Sequence, residues 1–496
     1  MPFAFRPLTP ITALLLALGL PLSAQAFDPL ATRSALPLLA TPPTNATPEW
    51  LADQEAVACP TALAERPLSL TEVVDAALCR YPQTREVWAA ARAQAAQLGA
   101  ARGAWLPTVN ASAGSSRQKF GGDTAASRAS TEQTTRSSSL TLSWLLYDGG
   151  ARSANVESAR QLLLAAGGTR DATVQAVFLN ALQAYFQAQA GEQALAAALA
   201  AEKAAAESLA AASKRYEVGT ATPADKLQAQ TAYAQAQLTR IQAEGQQRNA
   251  LGALAVIVGE PAGRKVQPLP ASADDLKAVP PQLDPAAIDA LLARAQELRP
   301  DLRAAEAQWR AAQAGVDAAR AAHLPTLSLG AGPSRQSVDG LSSTSNTLGL
   351  TLNIPLFAGF ATEYKVQAAQ ATAEQRQAAF ERTKLQVSLD VWQGYQNLVT
   401  ADQSLTSTAT LLASAEQSAK VALGRYQAGV GSILDTLNAQ SALAAARQQR
   451  VQAQLNWNVA RATLAQAVGS LDHRLLTDEA ALPTALTSAR SGTGAN

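Results

Sequence analysis

The sequence predicts a mainly α-helical fold that carries two pairs of β-strands and is built from two copies of one unit. The chain of 496 residues is 48% hydrophobic but 5% aromatic. Alanine dominates its apolar part, which favours long helices packed through small side chains. Several motifs recur at one fixed spacing, as an internal repeat requires. In each copy, a Ser/Thr/Gly-rich segment with two-residue alternation separates the helical segments, as strands do.

The charge balance argues against nucleic-acid binding. Lysine plus arginine number 40 and aspartate plus glutamate 39, for a net charge of +1, whereas nucleic-acid binding leaves a basic excess. A hydrolase would need a nucleophile or a metal cluster, but the two histidines, His323 and His473, are isolated from candidate partners. We therefore expect no catalytic residues, no metal site and no cofactor.

A targeting segment begins the chain. Arg6 precedes a short apolar run at residues 11–20, and an A-x-A-like site ends at Ala26. This order is typical of a secretory signal peptide, residues 1–26, cleaved before Phe27. A membrane anchor is the alternative, but the run is too short to span about 30 Å of hydrocarbon. We expect the mature chain to be exported.

The two cysteines, Cys59 and Cys79, then lie in an oxidising compartment. We expect them to form a disulfide, which contributes roughly 3 kcal/mol on the loop-entropy model. Two free thiols are the alternative. The bond would join an N-terminal extension, residues 27–69, to the first helix.

The sequence contains two copies of one unit. Arg215-Tyr216-x-x-Gly219 recurs as Arg425-Tyr426-x-x-Gly429, an offset of 210 positions (425 − 215). Upstream the offset is 218, because a segment of the first copy is eight residues longer. We expect repeat 1 over residues 70–275, repeat 2 over 276–470 and a C-terminal tail over 471–496. Further matched pairs are Asp225-x-Leu227-x-Ala229-Gln230 with Asp435-x-Leu437-x-Ala439-Gln440, and Tyr147-x-Gly149 with Phe357-x-Gly359.

Each copy has the same order of elements. A helical stretch ends at a Leu-Pro pair, since proline stops a helix. Two strands follow with a polar loop between them, and then a long helix of about 66 residues that reaches roughly 100 Å. A turn and a returning helix complete the copy. The predicted ranges are 70–105 and 285–323 for the first helix, 121–138 and 337–345 for the loop, and 150–216 and 360–426 for the long helix.

The long helix and the returning helix form a hairpin with a capped tip. A glycine after the long helix suits a left-handed C-cap. A Ser or Thr N-cap then precedes an aspartate at the third helical position, as in a capping box, and the first copy adds proline at the first position. These residues are Gly219, Thr222, Pro223 and Asp225 in the first copy, and Gly429, Ser432 and Asp435 in the second.

Two interpretations of the tip aspartates follow. Asp225 and Asp435 are helix-capping carboxylates, worth about 1 kcal/mol each, or anions that line a pore. Capping preferences alone explain both positions.

Four strands in one chain cannot close a membrane barrel, because bacterial barrels start at eight strands. Two chains would supply eight, and an eight-stranded interior is filled by side chains. A pore therefore requires three or more chains. We expect one alternation phase of the last strand to face lipid, namely Leu348, Leu350, Leu352 and Ile354.

The doubled Tyr-x-x-Gly…Asp-x-Leu-x-Ala-Gln hairpins, the paired strands and the export signal resemble the outer-membrane efflux protein family, the TolC-like channels. The resemblance covers about residues 70–471. It implies a homotrimer whose twelve-stranded transmembrane β-barrel, four strands per chain, continues as a long periplasmic α-helical barrel. It implies an exit duct for drug or toxic-compound efflux or type I protein secretion, with no enzymatic activity. The implied partners are a periplasmic adaptor, an inner-membrane pump or ABC exporter, and outer-membrane lipid.

The resemblance also implies roles for residues of the tips. The chain departs from the best-known member at Asn438, where that member has a second aspartate, and at Gly431, where it has an arginine of the closing network. These departures argue against a second acidic ring and an arginine-based lock. Implied pore-entrance residues are Tyr426, Asp435, Asn438 and Asp225. Implied adaptor-docking residues are Gly219, Thr222, Pro223, Gly429 and Ser432.

A secreted or surface helical scaffold or adhesin without a pore is the alternative function. It shares the signal peptide, the alanine-rich helices and the repeats. It does not explain why strand pairs lie at equivalent points of both copies.

Overall fold

The computed structural model describes residues 66–120, 131–270 and 287–471, which form eight helices and four strands. None of these helices has an apolar stretch sufficient to span a membrane. The first copy contains α1 (Leu70–Arg80), α2 (Pro82–Gly103), β1 (Thr108–Phe120), β2 (Thr131–Tyr147), α3 (Ala151–Glu217) and α4 (Pro223–Ile257). The second contains α5 (Ala287–Leu298), α6 (Pro300–Ala321), β3 (Thr326–Val338), β4 (Leu341–Asn353), α7 (Ala361–Gln427) and α8 (Ile433–Val468).

Some predictions lie outside the described residues. These are the signal peptide, residues 1–26, nearly all of the N-terminal extension, the boundary between the repeats, and the tail from residue 472. Cys79, on α1, is disulfide-bonded. Cys59 is outside the described residues, so its pairing with Cys79 stays a prediction.

The first stretch of each copy is helical where it is described, as predicted over 70–105 and 285–323, but it consists of two helices rather than one. The breaks fall at Tyr81 and Arg299, which have extended backbones. A residue that precedes proline is driven out of the helical region by the proline ring. Pro82 and Pro300 then start α2 and α6 at the first helical position, where no N–H is needed.

The four strands form one antiparallel sheet in the order β1-β2-β3-β4. The predicted loops at 121–138 and 337–345 are too long, because β2 already begins at Thr131 and only two residues join β3 to β4. Those residues, Asp339 and Gly340, have φ values of 48° and 93°, as a type I′ hairpin turn requires. Backbone pairing therefore continues through the Ser/Thr-rich ends, where the apolar alternation has stopped.

One face of the sheet is apolar. The register pairs Leu329 with both Trp144 and Leu350, and directly opposed residues share a face. The other face carries serine, threonine and glycine, among them Thr351. Ile354, which was predicted with the strand, lies beyond the end of β4. The apolar face consists of Val109, Ala111, Leu140, Leu142, Trp144, Leu327, Leu329, Ala331, Leu348, Leu350 and Leu352.

Each copy builds a core where its short first helix meets its hairpin. Fully buried Phe178 and Leu254 hold α1 against α3 and α4, and Val391 and Leu464 hold α5 against α7 and α8. Elsewhere the helices approach through small residues. An added Cβ on Gly168 of α3 would lie 2.7 Å from a backbone oxygen at the start of α6. The alanine-rich composition thus serves close helix packing over most of the length.

Ion pairs fix the start of α6. Arg299 donates from Nη1 to Asp390 Oδ2 at 2.8 Å and from Nη2 to Asp301 Oδ2 at 2.6 Å. Burial raises the pKa of the Asp301 carboxyl, but the hydrogen bonds and charge of Arg299 outweigh burial and hold that pKa below its ordinary value. The carboxylate therefore stays charged at neutral pH and ties α6 to α7 through the shared arginine.

A buried ion pair fixes the junction of β2 with α3 in the first copy alone. Arg152 and Asp148 are each 6% exposed, with Nε and Oδ2 3.0 Å apart. The Arg152 guanidinium also donates to carbonyls at the end of β2 and lies 4.3 Å from the ring centre of Trp105. The second copy has Thr362 and Ala358 at the matching positions, so its strand-to-helix junction lacks this anchor.

Gly332→Ala tests the contact between the two central strands. An added Cβ on Gly332 would lie 2.0 Å from the Leu140 carbonyl oxygen, so we expect a loss of about 1–3 kcal/mol in the free energy of unfolding. Gly330→Ala is the matched control, because its Cβ meets no atom within 4 Å. Thermal unfolding of the purified proteins measures the difference, and equal midpoints would contradict the close approach.

Candidate functional site: the hairpin tips

Two helical hairpins carry every predicted site residue outside the disulfide. Hairpin 1 consists of α3 and α4 with its tip at residues 218–222. Hairpin 2 consists of α7 and α8 with its tip at residues 428–432. The two long helices have equal lengths of 67 residues, so the tips lie at the same end of the molecule and contact each other.

Both long helices end in the same left-handed turn. Gly219 and Gly429 have φ values of 76° and 78°. Each glycine amide donates to the carbonyl three residues before it, and the next amide donates to the carbonyl of Arg215 at 2.8 Å or of Arg425 at 3.0 Å. This is the Schellman pattern. The left-handed caps that the sequence predicts are present in both hairpins.

The returning helices are capped differently. Thr222 Oγ1 accepts from the Asp225 amide at 3.2 Å, and Asp225 Oδ2 accepts from the Thr222 amide at 2.9 Å, so hairpin 1 has the full capping box with Pro223 inside it. Ser432 Oγ accepts from the Asp435 amide at 3.1 Å, but in the described residues no reverse bond is made. The prediction that Asp435 repeats the box is wrong. Ser432 is exposed, so water can satisfy its backbone amide in place of the aspartate.

The hairpins join through a contact that we call the inner seam. Tyr426, 6% exposed, packs in a cluster with Ala212, Ala229 and Ile433. The Arg215 guanidinium carbon lies 4.1 Å from the Tyr426 ring centre, and Nη2 donates to the Tyr426 carbonyl at 2.7 Å. The arginine of one hairpin thus covers both the aromatic ring and the negative helix end of the other.

A second polar pair completes the inner seam. Ser208 Oγ lies 3.1 Å from Gln440 Oε1 and 3.0 Å from Gln440 Nε2. Sequence reasoning used Arg215 and Gln440 as repeat markers and did not assign them a contact. The available signal was an arginine beside an aromatic residue at the end of each long helix, but which helix supplies the partner is a tertiary property.

The predicted entrance residues do not cluster within one chain. Asp435 and Asn438 lie exposed one turn apart on α8, Asp225 lies on α4, and Tyr426 is buried in the inner seam. Within the described ranges, no hydrogen bond or ion pair joins these four side chains. An added Cβ on Gly431 would lie 3.0 Å from the Arg425 Cβ, so a larger residue there would require the tip to shift.

The described residues hold no group of three or more histidine, cysteine, aspartate or glutamate side chains that could bind a metal ion.

The sequence profile of a family described as outer membrane efflux protein matches residues 73–260 and 291–470. The chain belongs to the outer membrane efflux protein family. It therefore lies in the outer membrane, extends into the periplasm and serves as an exit duct.

Relatives and solved structures agree with this membership. The chain is 34% identical to protein CyaE of Bordetella pertussis over 392 residues, which cover 77% of this chain and 80% of CyaE. It is 30% identical to the pyoverdine export outer membrane protein OpmQ of Pseudomonas aeruginosa over 395 residues, covering 77% and 81%. The fold is similar to that of the outer membrane protein VceC of Vibrio cholerae, with a TM-score of 0.69, 20% identity, and 81% and 96% coverage.

Gly429→Val tests the left-handed cap of hairpin 2. No atom lies within 4 Å of an added Cβ at Gly429, so the expected damage comes from the positive φ, which costs a β-branched residue roughly 1–3 kcal/mol. Gly429→Asn should retain most of the tip structure, because asparagine tolerates this region. Limited proteolysis at the tip measures the damage. Gly424→Ala, on open α7 surface, should leave cleavage unchanged.

Proposed function

We propose that three copies of this chain form the exit duct and receive cargo from a periplasmic adaptor and an inner-membrane pump or ABC exporter. The sheet carries this proposal. In the described part of the chain, β1 and β4 each have one neighbouring strand, while the apolar face between them is exposed. An unpaired strand edge within hydrocarbon costs several kcal/mol per polar group. Three such sheets joined edge to edge would give a closed, twelve-stranded barrel.

The helices support the same assembly. On α3, buried residues occur from Arg152 onwards, because α2 and α6 both pack along it. On α7, which has the same length, no residue is buried before Val387. The uncovered face of α7 corresponds by the repeat to the face of α3 that α6 covers. An α2 helix of a second copy, the repeat equivalent of α6, fits that face, and repetition would close an α-helical barrel below the sheet.

The tips are the end at which an adaptor would dock. Gly219, Thr222, Pro223, Gly429 and Ser432 lie there, and two apolar side chains, Val218 and Val430, are 72% and 70% exposed beside them. Exposed valines at both turns are suited to burial against a partner protein. The duct itself would be passive, and the pump would select the cargo: small toxic compounds, metal ions or a secreted polypeptide.

Planar bilayers separate the duct from the alternative of a scaffold or adhesin without a pore. The purified protein should give discrete conductance steps, with a detergent-stable trimer as the active species. A scaffold would give no steps. A monomer that inserts and conducts would contradict the trimer.

Leu350→Arg tests which face of the sheet contacts lipid. Leu350 is 66% exposed on the apolar face, so we expect a cost of roughly 2–4 kcal/mol near the middle of the membrane and little inserted trimer. Thr351→Arg, on the opposite face of the same strand, is the matched control and should insert. Outer-membrane yield and trimer content on unheated gels measure both. Insertion of the leucine variant together with failure of the threonine variant would reverse the assigned faces.

Asp435→Asn tests a charged ring at the entrance. Three copies of Asp435 separated by roughly 6–10 Å would repel by about 2–3 kcal/mol per pair at an effective dielectric of 20. The ring should bind multivalent cations, and its repulsion should favour a slightly open entrance, because Asn438 adds no second ring. We expect weaker cation selectivity and weaker block by cobalt hexammine in bilayers of the variant, with assembly unchanged.

Asp225→Asn is the control for that charge. Its carboxylate belongs to a capping box that the Asp435 carboxylate does not form. The Asp225 variant should lower the stability of hairpin 1 by about 1 kcal/mol and change block less than the Asp435 variant does. Unchanged block in the Asp435 variant would leave that residue as a helix-start carboxylate.

A further inference from the structure

The sequence contains the residue types of the inner seam twice, but the described residues form this contact once. Moving each of its four polar or aromatic partners by the repeat offset of 210 positions leads to a residue of the same type. One leucine of the surrounding apolar surface, Leu437, also has a leucine at the matching position. The matched residues are Arg215 with Arg425, Tyr426 with Tyr216, Ser208 with Ser418, Gln440 with Gln230, and Leu437 with Leu227.

The second set is exposed where the first is buried. Tyr216 is 41% exposed, against 6% for Tyr426. Leu227 is 61% exposed, whereas Leu437 packs on the inner-seam cluster. The chain thus buries one set of these contact residues and leaves the matching set exposed. Side chains of matching type and spacing, with opposite burial, indicate a second interface of the same construction.

The exposed set divides into two complementary edges. In the inner seam, hairpin 1 supplies Arg215 and Ser208, which we call the donor edge after the arginine that donates to Tyr426. Hairpin 2 supplies Tyr426 and Gln440, which we call the acceptor edge, although Ser208 and Gln440 can each donate to the other. Hairpin 2 therefore keeps its own donor edge uncovered, and hairpin 1 keeps its own acceptor edge uncovered. Two different, complementary surfaces on each chain allow a head-to-tail contact between copies. Repeated contacts close into a ring when the rotation between neighbouring copies is a whole fraction of a full turn. The uncovered donor edge is Ser418 and Arg425; the uncovered acceptor edge is Tyr216, Leu227 and Gln230.

We infer that the uncovered donor edge binds the uncovered acceptor edge of a second copy of this chain, in a contact that we call the outer seam. Arg425 stacks on the partner subunit's Tyr216 and donates to its carbonyl, and Ser418 bonds Gln230 of the partner subunit. The inference rests on the proposed trimer and specifies its residue pairing. Inner and outer seams then alternate around the ring of tips.

Crosslinking of introduced cysteines tests the pairing. The variant Ser418→Cys with Gln230→Cys is treated in whole cells with a short bifunctional thiol reagent. The outer seam predicts a shift of the monomer band to covalent dimers and trimers on denaturing gels. The matched variant Ser208→Cys with Gln440→Cys has the same geometry inside one chain. It should link without any increase in mass, and each single-cysteine variant should give no interchain product.

The outcomes separate this inference from the trimer itself. A stable trimer in which the cysteine pair 208–440 crosslinks and the pair 418–230 does not would contradict the outer seam but not the trimer. Absence of the trimer on unheated gels would overturn the proposed assembly. Arg425→Gln supplies a functional readout, because a ring of tips that loses this contact should widen. Single-channel conductance should therefore rise, and we expect the same rise for Arg215→Gln. A rise for Arg215→Gln alone would show that the subunit boundary does not depend on this arginine.

Discussion

A helix of 67 residues cannot be covered by one neighbour, and the rest of the structure depends on how its surface is covered. Isolated helices are marginal in water and owe their stability to packing along an apolar face. In this chain, α2 and α6 both lie along the first part of α3, and α1, α4 and α8 lie along its later parts. The small side chains bring helices close enough for dispersion contacts to add up over a long distance. Along α7 before Val387, one face has no covering helix within the described residues, and in the proposed trimer a second chain would cover it.

Local rules explain which parts of this fold could be predicted from sequence. The cap at Gly429 depends on one backbone angle and a few nearby bonds, so a glycine at the end of a helical pattern was sufficient. The hairpin turn at Asp339 and Gly340 is equally local, and an Asp-Gly pair favours it. The long polar run around that pair predicts a loop, so the turn is hidden within it. Pro82 and Pro300 match at the upstream offset of 218 positions, and the extended backbone that proline imposes on the residue before it explains both helix breaks.

Contacts between distant segments lay beyond sequence reasoning. The repeated motif marked Arg215 and Tyr426 as equivalent parts of two copies and gave no sign that one copy's arginine meets the other copy's tyrosine. That meeting depends on equal helix lengths and on which edges of the hairpins face each other. The buried pair of Arg152 and Asp148 was missed for a similar reason, because both residues resemble an ordinary i, i+4 surface pair until β2 covers them.

The two seams share their polar pairs but differ in their apolar filling. Ile433, 3% exposed in the inner seam, corresponds to Pro223, and fully buried Thr436 corresponds to Lys226. Lys226 Nζ already lies 5.3 Å from the Tyr216 ring centre. An arginine from the partner subunit would therefore meet a ring that has a cation beside it, and like charges repel. The outer seam is therefore the weaker of the two, because it has less apolar packing and because Lys226 repels the incoming arginine. If the entrance opens by loosening its ring of contacts, the boundaries between subunits will separate before the hairpins of one chain do.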